Sequence, residues 1–114
     1  LNPATTSSKM IEVIREDIGF DGLIMSDDIS MEALSGTIDQ RAAALIAAGC
    51  DIALHCNGKA HEMALVASAA GEMTPTAVIR ADRALAQRKT PENIDILALI
   101  AELEALLALG SCDR

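Results

Sequence analysis

The pattern of apolar and polar positions divides the first half of the chain into alternating helices and strands. Apolar residues recur at helical spacing from Met10 to Ile18, behind the hydroxyls of residues 5–8, and predict a first helix. The apolar run that opens Leu23–Ser26 lacks alternation, which predicts a buried strand. A second helix is predicted from the capping box at Thr37 to Gly49, and a second strand at Ile52–Cys56. This order predicts βα units that share a parallel sheet.

The second half of the chain shows helical patterns only. His61–Ala70 is rich in alanine, and Thr74-Pro75 and Thr90-Pro91 each place a capping hydroxyl before a proline, so that helices are predicted to begin there. The last helix has a stripe with alternating steps of four and three residues, formed by Ile96, Ile100, Leu103 and Leu107. Such a stripe is typical of a coiled-coil seam, but it covers only about one and a half heptads. We expect it instead to pack against a barrel.

Composition indicates a soluble, cytoplasmic segment that forms one domain over residues 1–114. Hydrophobic residues make up 51% of the chain, which is enough for a core, and the three cysteines lack the spacing of a disulfide framework. The net charge of -8 argues against nucleic-acid or anionic membrane partners. The longest uncharged apolar stretch, Ala42–Cys50, is shorter than the roughly 20 residues that a membrane span needs.

Two carboxylates, Asp27 and Asp28, end the first predicted strand. In parallel α/β folds the reacting groups lie at the carboxyl ends of strands. Neighbouring side chains of a strand point to opposite sides, so only one of the two faces a ligand. Asp27 is the candidate, and we expect Asp28 to hydrogen-bond locally. From spacing alone, a turn in which Asp27 accepts backbone N–H bonds is equally compatible with the pattern.

The other polar residues near the strand ends have simpler interpretations. His55 is interpreted as a hydrogen-bonded core histidine in preference to a ligand contact, and His61 as a solvated helix residue. Asn57 and the glycine after it predict a turn. Cys50 and Cys56 lie near His55, but strand alternation separates His55 from Cys56 and the chain has no CxxC pair. We therefore predict no metal site and no cofactor.

The segment of residues 19–31, GFDGLIMSDDISM, resembles the nucleophile segment of glycoside hydrolase family 3. Its SDD-hydrophobic-S-M form is similar to the bacterial β-N-acetylhexosaminidase branch, which trims N-acetylglucosamine from cell-wall fragments during peptidoglycan recycling. Residues 47–57, AAGCDIALHCN, are similar to the next helix-to-strand passage of that branch. The resemblance implies that Asp27 is the nucleophile of a retaining glycosidase acting on a glycan that contains N-acetylglucosamine.

The same resemblance implies a (β/α)8 barrel, of which this chain would form the last two or so βα units, because a barrel takes roughly 250 residues. The family's acid/base loop, lysine-histidine-phenylalanine-proline-glycine-histidine-glycine, has no counterpart in the sequence. We therefore expect the chain alone to be inactive, and to self-associate or to need the missing N-terminal part. Two alternatives stay open: a non-catalytic segment that folds by association, and a related glycosidase or phosphorylase with another sugar specificity.

Overall fold

The computed structural model describes residues 3–110, which form helices and a small sheet in an α/β arrangement. The predicted domain also includes residues 1, 2 and 111–114, among them Cys112, and these lie outside the described residues. After a 3₁₀ turn (Ala4–Thr6), the elements are α1 (Ser8–Glu12), which continues into a π-helical turn (Val13–Asp17), β1 (Met25–Asp28), α2 (Ile38–Ala48), β2 (Ile52–Leu54), α3 (Ala60–Ala70), α4 (Pro75–Ala86) and α5 (Ile96–Gly110).

The two strands are parallel neighbours, as the sequence predicted. Met25 is opposite Ile52 and Asp28 is opposite Leu54, with an irregularity in register between these pairs. β1 is shifted by two residues from the predicted Leu23–Ser26, whereas β2 begins at Ile52 as predicted and ends two residues before the predicted Cys56. β1 starts later than Leu23 because the Ile24 N–H bonds to the Asp51 carboxylate, at 2.8 Å. β2 ends at Leu54 and not at Cys56, whose N–H bonds to a side chain of the other strand.

Helix termini follow the capping residues in most places. Thr37 and Gln40 form the predicted capping box of α2, and Gly49, with φ of 106°, ends that helix in the left-handed conformation. The Thr74 hydroxyl accepts the Ala77 N–H at the start of α4. The helix start predicted at Thr90-Pro91 is wrong, because α5 begins at Ile96. There the Asp95 carboxylate accepts the Ala98 N–H at 3.0 Å and supplies the cap directly before the apolar run.

The core lies where α1, α2 and α3 meet the segment after β1. Ile29 and Leu45 are its fully buried large side chains, and Ile11, Leu34 and Val66 pack around them. Cys50 is also buried, and burial raises the pKa of its thiol. Across residues 3–110, no helix combines the length and the apolarity that crossing a membrane requires.

The last helix is not covered by the described residues, so the packing of its stripe against a barrel stays a prediction. Every side chain of α5 from Ile96 to Leu109 is exposed, so no described element covers its apolar stripe. The stretch of residues 88–95 before it is also exposed and forms neither helix nor strand. The stripe is therefore a real feature of α5, but its partner is not among residues 3–110.

Candidate functional site

The carboxyl ends of the two strands meet at one edge of the sheet. Asp27 and Asp28 are the last residues of β1, and His55 and Cys56 directly follow β2. The Cys56 N–H donates to Asp28 Oδ1 at 3.2 Å, which joins the two strand ends. The parallel arrangement therefore brings the predicted carboxylates next to the connector between β2 and α3.

Asp27 is the exposed carboxylate of this edge. Its Oδ1 accepts the Asp28 N–H at 2.7 Å, and it forms no ion pair with any residue between 3 and 110. One carboxylate oxygen is thus held by the backbone of the next residue, while the side chain stays open to solvent. This matches both interpretations from the sequence, since the backbone bond exists and the carboxylate is still accessible to a ligand.

Asp28 is committed to local hydrogen bonds, as predicted. Its Oδ2 accepts the Ser30 hydroxyl at 2.5 Å, and its Oδ1 accepts the Ser30 N–H at 3.0 Å as well as the Cys56 N–H. The Ser30 hydroxyl, followed by these backbone donors, lowers the pKa of Asp28. Asp28 is therefore a structural carboxylate that ties the segment after β1 to the end of β2.

Two further residues, which the sequence analysis did not select, hold this edge in place. Ser26 is buried; its hydroxyl accepts the Leu54 N–H at 3.0 Å and donates to the Asp27 carbonyl at 2.8 Å. Arg41 on α2 donates from Nη1 to the carbonyls of Ile29 and Met31, both at 3.0 Å. Apart from the Ser26–Asp27 bond, these bonds join distant segments of the chain, so that no local spacing in the sequence predicts them.

The end of β2 carries a second polar cluster centred on Glu62 of α3. Glu62 Oε2 receives hydrogen bonds from Asn57 Nδ2 at 2.6 Å and from His55 Nε2 at 3.1 Å, and Lys59 Nζ lies 3.1 Å from Glu62 Oε1. Asn57, then His55 and Lys59, lower the pKa of Glu62 to about 2. Glu62 was not predicted as a site residue. Its place at the start of the predicted helix His61–Ala70, three residues after Lys59, was the available signal.

The interpretations of the histidines and of the turn are confirmed. His55 is buried, with a side chain 6% exposed, and is hydrogen-bonded, whereas His61 is exposed on α3. Asn57 Oδ1 accepts the Lys59 N–H at 3.0 Å and so forms the predicted turn. In the described part of the chain, no three His, Cys, Asp or Glu side chains are grouped as a metal site would need.

The amino-terminal ends of the strands carry ion pairs in place of free carboxylates. Asp51, just before β2, receives Arg15 Nη2 at 2.7 Å and Arg80 Nη1 at 3.0 Å, and its side chain is 6% exposed. Arg80 and Arg83 also reach Asp21, which is mostly exposed; this pairing lowers the pKa of Asp21, Arg83 contributing most. This network fastens α4 and the π-helical turn that follows α1 to the sheet at the end opposite Asp27.

A cavity of about 680 Å³ lies beside β2, between α3 and α4. Its walls are mostly apolar and include Val66, Ala77 and His55, but neither Asp27 nor Asp28. The cavity follows the open side of β2 and reaches the connector at His55, but it does not include the two carboxylates. The candidate site is therefore the edge formed by Asp27, Asp28 and the connector after β2.

Comparison with known proteins gives a consistent set of relatives. Residues 1–87 match the model of the glycosyl hydrolase family 3 N-terminal domain. A Beta-hexosaminidase of Pseudomonas aeruginosa is 38% identical over 111 residues, which cover 94% of this chain and 32% of that relative. A Beta-hexosaminidase of Shewanella frigidimarina is 36% identical over 110 residues, covering 86% and 32%, and that of Tolumonas auensis is 46% identical over 57 residues, covering 48% and 17%. The chain thus spans about a third or less of the length of these curated relatives.

Proposed function

The chain belongs to glycosyl hydrolase family 3, and from that premise we propose that it supplies the nucleophile, Asp27, of a retaining β-N-acetylhexosaminidase. The observation that carries the proposal is the contrast between the two adjacent carboxylates. Both oxygens of Asp28 accept hydrogen bonds from neighbouring residues, whereas the carboxylate of Asp27 is exposed at the strand end. Asp27 is therefore the carboxylate that can approach a sugar.

In a double displacement, the Asp27 carboxylate attacks the anomeric carbon while the bond from that carbon to the leaving oxygen breaks. A general acid gives its proton to the leaving oxygen, and water then cleaves the glycosyl-enzyme ester, with net retention of configuration. Ser26 and Asp28 support this chemistry from within the chain. They hold the carbonyl and a carboxylate oxygen of Asp27, so that its short side chain has little freedom to leave the productive position.

The substrate that we propose is a glycan with a terminal N-acetylglucosamine, such as a cell-wall fragment in peptidoglycan recycling in the cytoplasm. The names of the relatives support a hexosaminide substrate, and the resemblance around Asp27 supports the N-acetylglucosaminide class. The general acid is proposed to come from the N-terminal part of a (β/α)8 barrel. No cofactor enters the proposed reaction.

A second candidate function, a non-catalytic segment that folds by association, is favoured by the size of the exposed surface. The accessible surface is 8613 Å², whereas a compact monomer of this mass exposes about 6,000 Å². The excess, about 2,600 Å², is comparable with what one partner contributes to an obligate interface. In either case we propose that the chain needs a covering partner, which is a second copy or the N-terminal part of a barrel.

The experiment is a chimera in which this chain replaces the matching segment of the Pseudomonas aeruginosa Beta-hexosaminidase. We expect the chimera to hydrolyse a chromogenic N-acetylglucosaminide, and Asp27→Asn to lower turnover by on the order of 10³-fold or more while leaving the circular dichroism spectrum unchanged. A fluorinated N-acetylglucosaminide that forms a slowly hydrolysed glycosyl-enzyme should label Asp27. The purified 114-residue chain should show no turnover, since general acid catalysis contributes about 10²- to 10⁴-fold.

Four results would contradict parts of the proposal. A label on Asp28, or an Asp27→Asn chimera with most of its turnover, would remove Asp27 as the nucleophile. Transfer of the sugar to phosphate in preference to water would identify a phosphorylase. A folded chimera without activity, together with a 114-residue chain that forms stable oligomers, would support the non-catalytic segment.

A further inference from the structure

Glu62 attaches the connector that follows β2, residues 55–59, to the first turn of α3. One of its carboxylate oxygens, Oε2, accepts both Asn57 Nδ2 and His55 Nε2, so that two points of the connector are fixed to the first turn of α3. Asn57 in turn accepts the Lys59 N–H through Oδ1. A single carboxylate therefore organises residues 55–59, the stretch that lies beside the carboxylate edge.

The hydrogen-bond chemistry also fixes the proton on His55. Glu62 is ionised at neutral pH, because its pKa is held at about 2, and a carboxylate can only accept. His55 Nε2 must therefore carry a proton. Nδ1 is buried and has no hydrogen-bond partner among the described residues. Among the described residues, the contact with Glu62 is the one hydrogen bond of the imidazole, so this contact sets the orientation of the ring.

The connector reaches Asp27 through two backbone hydrogen bonds. Cys56, next to His55, donates its N–H to Asp28 Oδ1 at 3.2 Å. The Asp28 N–H then donates to Asp27 Oδ1 at 2.7 Å. A displacement of the connector would therefore loosen Asp28 and, through it, the orientation of the Asp27 carboxylate.

We propose that Glu62 is a positioning residue, which acts through His55 and the Cys56 N–H to hold Asp28 and thereby the attacking carboxylate of Asp27. The inference rests on the proposed function of Asp27 at the end of β1 and adds to it a residue on α3, 35 positions further along the chain. Glu62 does not touch the sugar. Its effect is on the geometry of attack, where a misplacement of about 1 Å costs up to about 10²-fold in rate.

The test uses the active chimera with Glu62→Ala and Glu62→Gln. Competent sites are counted by the stoichiometry of labelling with the fluorinated N-acetylglucosaminide, and turnover is expressed per competent site. We expect Glu62→Ala to lower kcat per site by about 10- to 100-fold, with a much smaller change in KM. Glu62→Gln should recover most of kcat, because the amide oxygen can still accept from Asn57 and His55.

The matched control is Glu12→Ala. Glu12 pairs with Lys9 at a spacing of three and a distance of 3.2 Å, as Glu62 pairs with Lys59, but it lies on α1 and contacts neither strand end. Its removal should leave kcat per site unchanged. The ¹⁵N shifts of His55 supply an independent measurement: the Nε2–H tautomer should dominate in the wild type and lose that dominance in Glu62→Ala.

The outcomes separate this inference from the proposed function. If Asp27→Asn abolishes turnover and Glu62→Ala lowers only the number of competent sites, with kcat per site unchanged, Glu62 is merely structural and the inference is wrong. A Glu62→Gln variant as slow as Glu62→Ala would also overturn it, since shape is retained. Full turnover by Asp27→Asn would instead refute the proposed function, whatever Glu62→Ala does.

Discussion

Replacing Asp51 by asparagine should destabilise the fold strongly, because this buried carboxylate accepts three donors from distant segments. Oδ2 receives Arg15 at 2.7 Å and the Ile24 N–H at 2.8 Å, and Oδ1 receives Arg80 at 3.0 Å. The side chains of Arg15 and Arg80 are only 13% and 17% exposed. An asparagine keeps one oxygen and turns an NH₂ group towards the remaining guanidinium donor.

The expected loss of unfolding free energy depends on which hydrogen-bond acceptors each arginine retains. Removing one partner of a buried ion pair costs about 3–5 kcal/mol. Arg15 keeps the carbonyls of Phe20 and Gly22, and Arg80 keeps Asp21, so that neither charge is left without an acceptor. We therefore expect a loss of about 2–3 kcal/mol, below the range for an isolated pair. For a domain of this size it corresponds to a fall in Tm of roughly 10–20 °C.

The assay is thermal unfolding of the wild type and of Asp51→Asn, followed by circular dichroism, in the chimera as well as in the 114-residue chain. Asp21→Asn is the control, since this carboxylate also pairs with Arg80 but its side chain is 68% exposed; its Tm should change little. The reasoning is refuted if Asp51→Asn melts within about 2 °C of the wild type, or if the exposed Asp21 proves the more costly of the two.

Three further predictions concern single contacts. Asp28→Asn should leave partial activity in the chimera and lower the Tm, because the amide retains only one of the two oxygens that accept from Ser30 and Cys56; complete loss of activity in a fully stable variant would contradict this. The pKa of Glu62 is lowered from 4.5 to about 2 in the folded state, so its stabilising contribution is present above about pH 4.5 and is lost as the pH falls towards 2; a pH series of urea midpoints should be flatter over this window for Glu62→Gln. Thr74→Ala removes the cap of α4 and should cost about 1 kcal/mol in urea unfolding, whereas an unchanged midpoint would show that the cap contributes nothing.

The sequence predicted the elements whose signals are local. The capping box at Thr37 and the left-handed Gly49 fixed α2, and the apolar runs located two parallel strands. The strand bounds were less accurate, because a distant side chain, the Asp51 carboxylate, binds the Ile24 N–H in place of a ladder partner. At Thr90-Pro91 the capping pattern was present but Asp95 supplied the cap, which shows that the cap adjoining the apolar run is the one that acts.

The sequence predicted only part of the candidate site, again because it shows local signals and not contacts between distant residues. Asp27 and Asp28 were selected because strand alternation and position are visible in the sequence, and the local bonds of Asp28 were expected. Glu62 and Ser26 were missed, since their importance depends on partners that lie 7 and 28 residues away and are joined only by the fold. Contacts between residues so far apart produce no periodic pattern in the sequence.

The two ends of the sheet are held by different sets of contacts. The ion pairs of Asp51 hold α4 and the π-helical turn after α1 at one end, while Asp27 and the connector after β2 occupy the other. No hydrogen bond or ion pair of the described residues links the Asp51 pairs to Glu62 or Asp28. Substitutions in the connector can therefore change how the Asp27 carboxylate is held without disturbing the ion pairs of Asp51, so that the two ends of the sheet can vary independently.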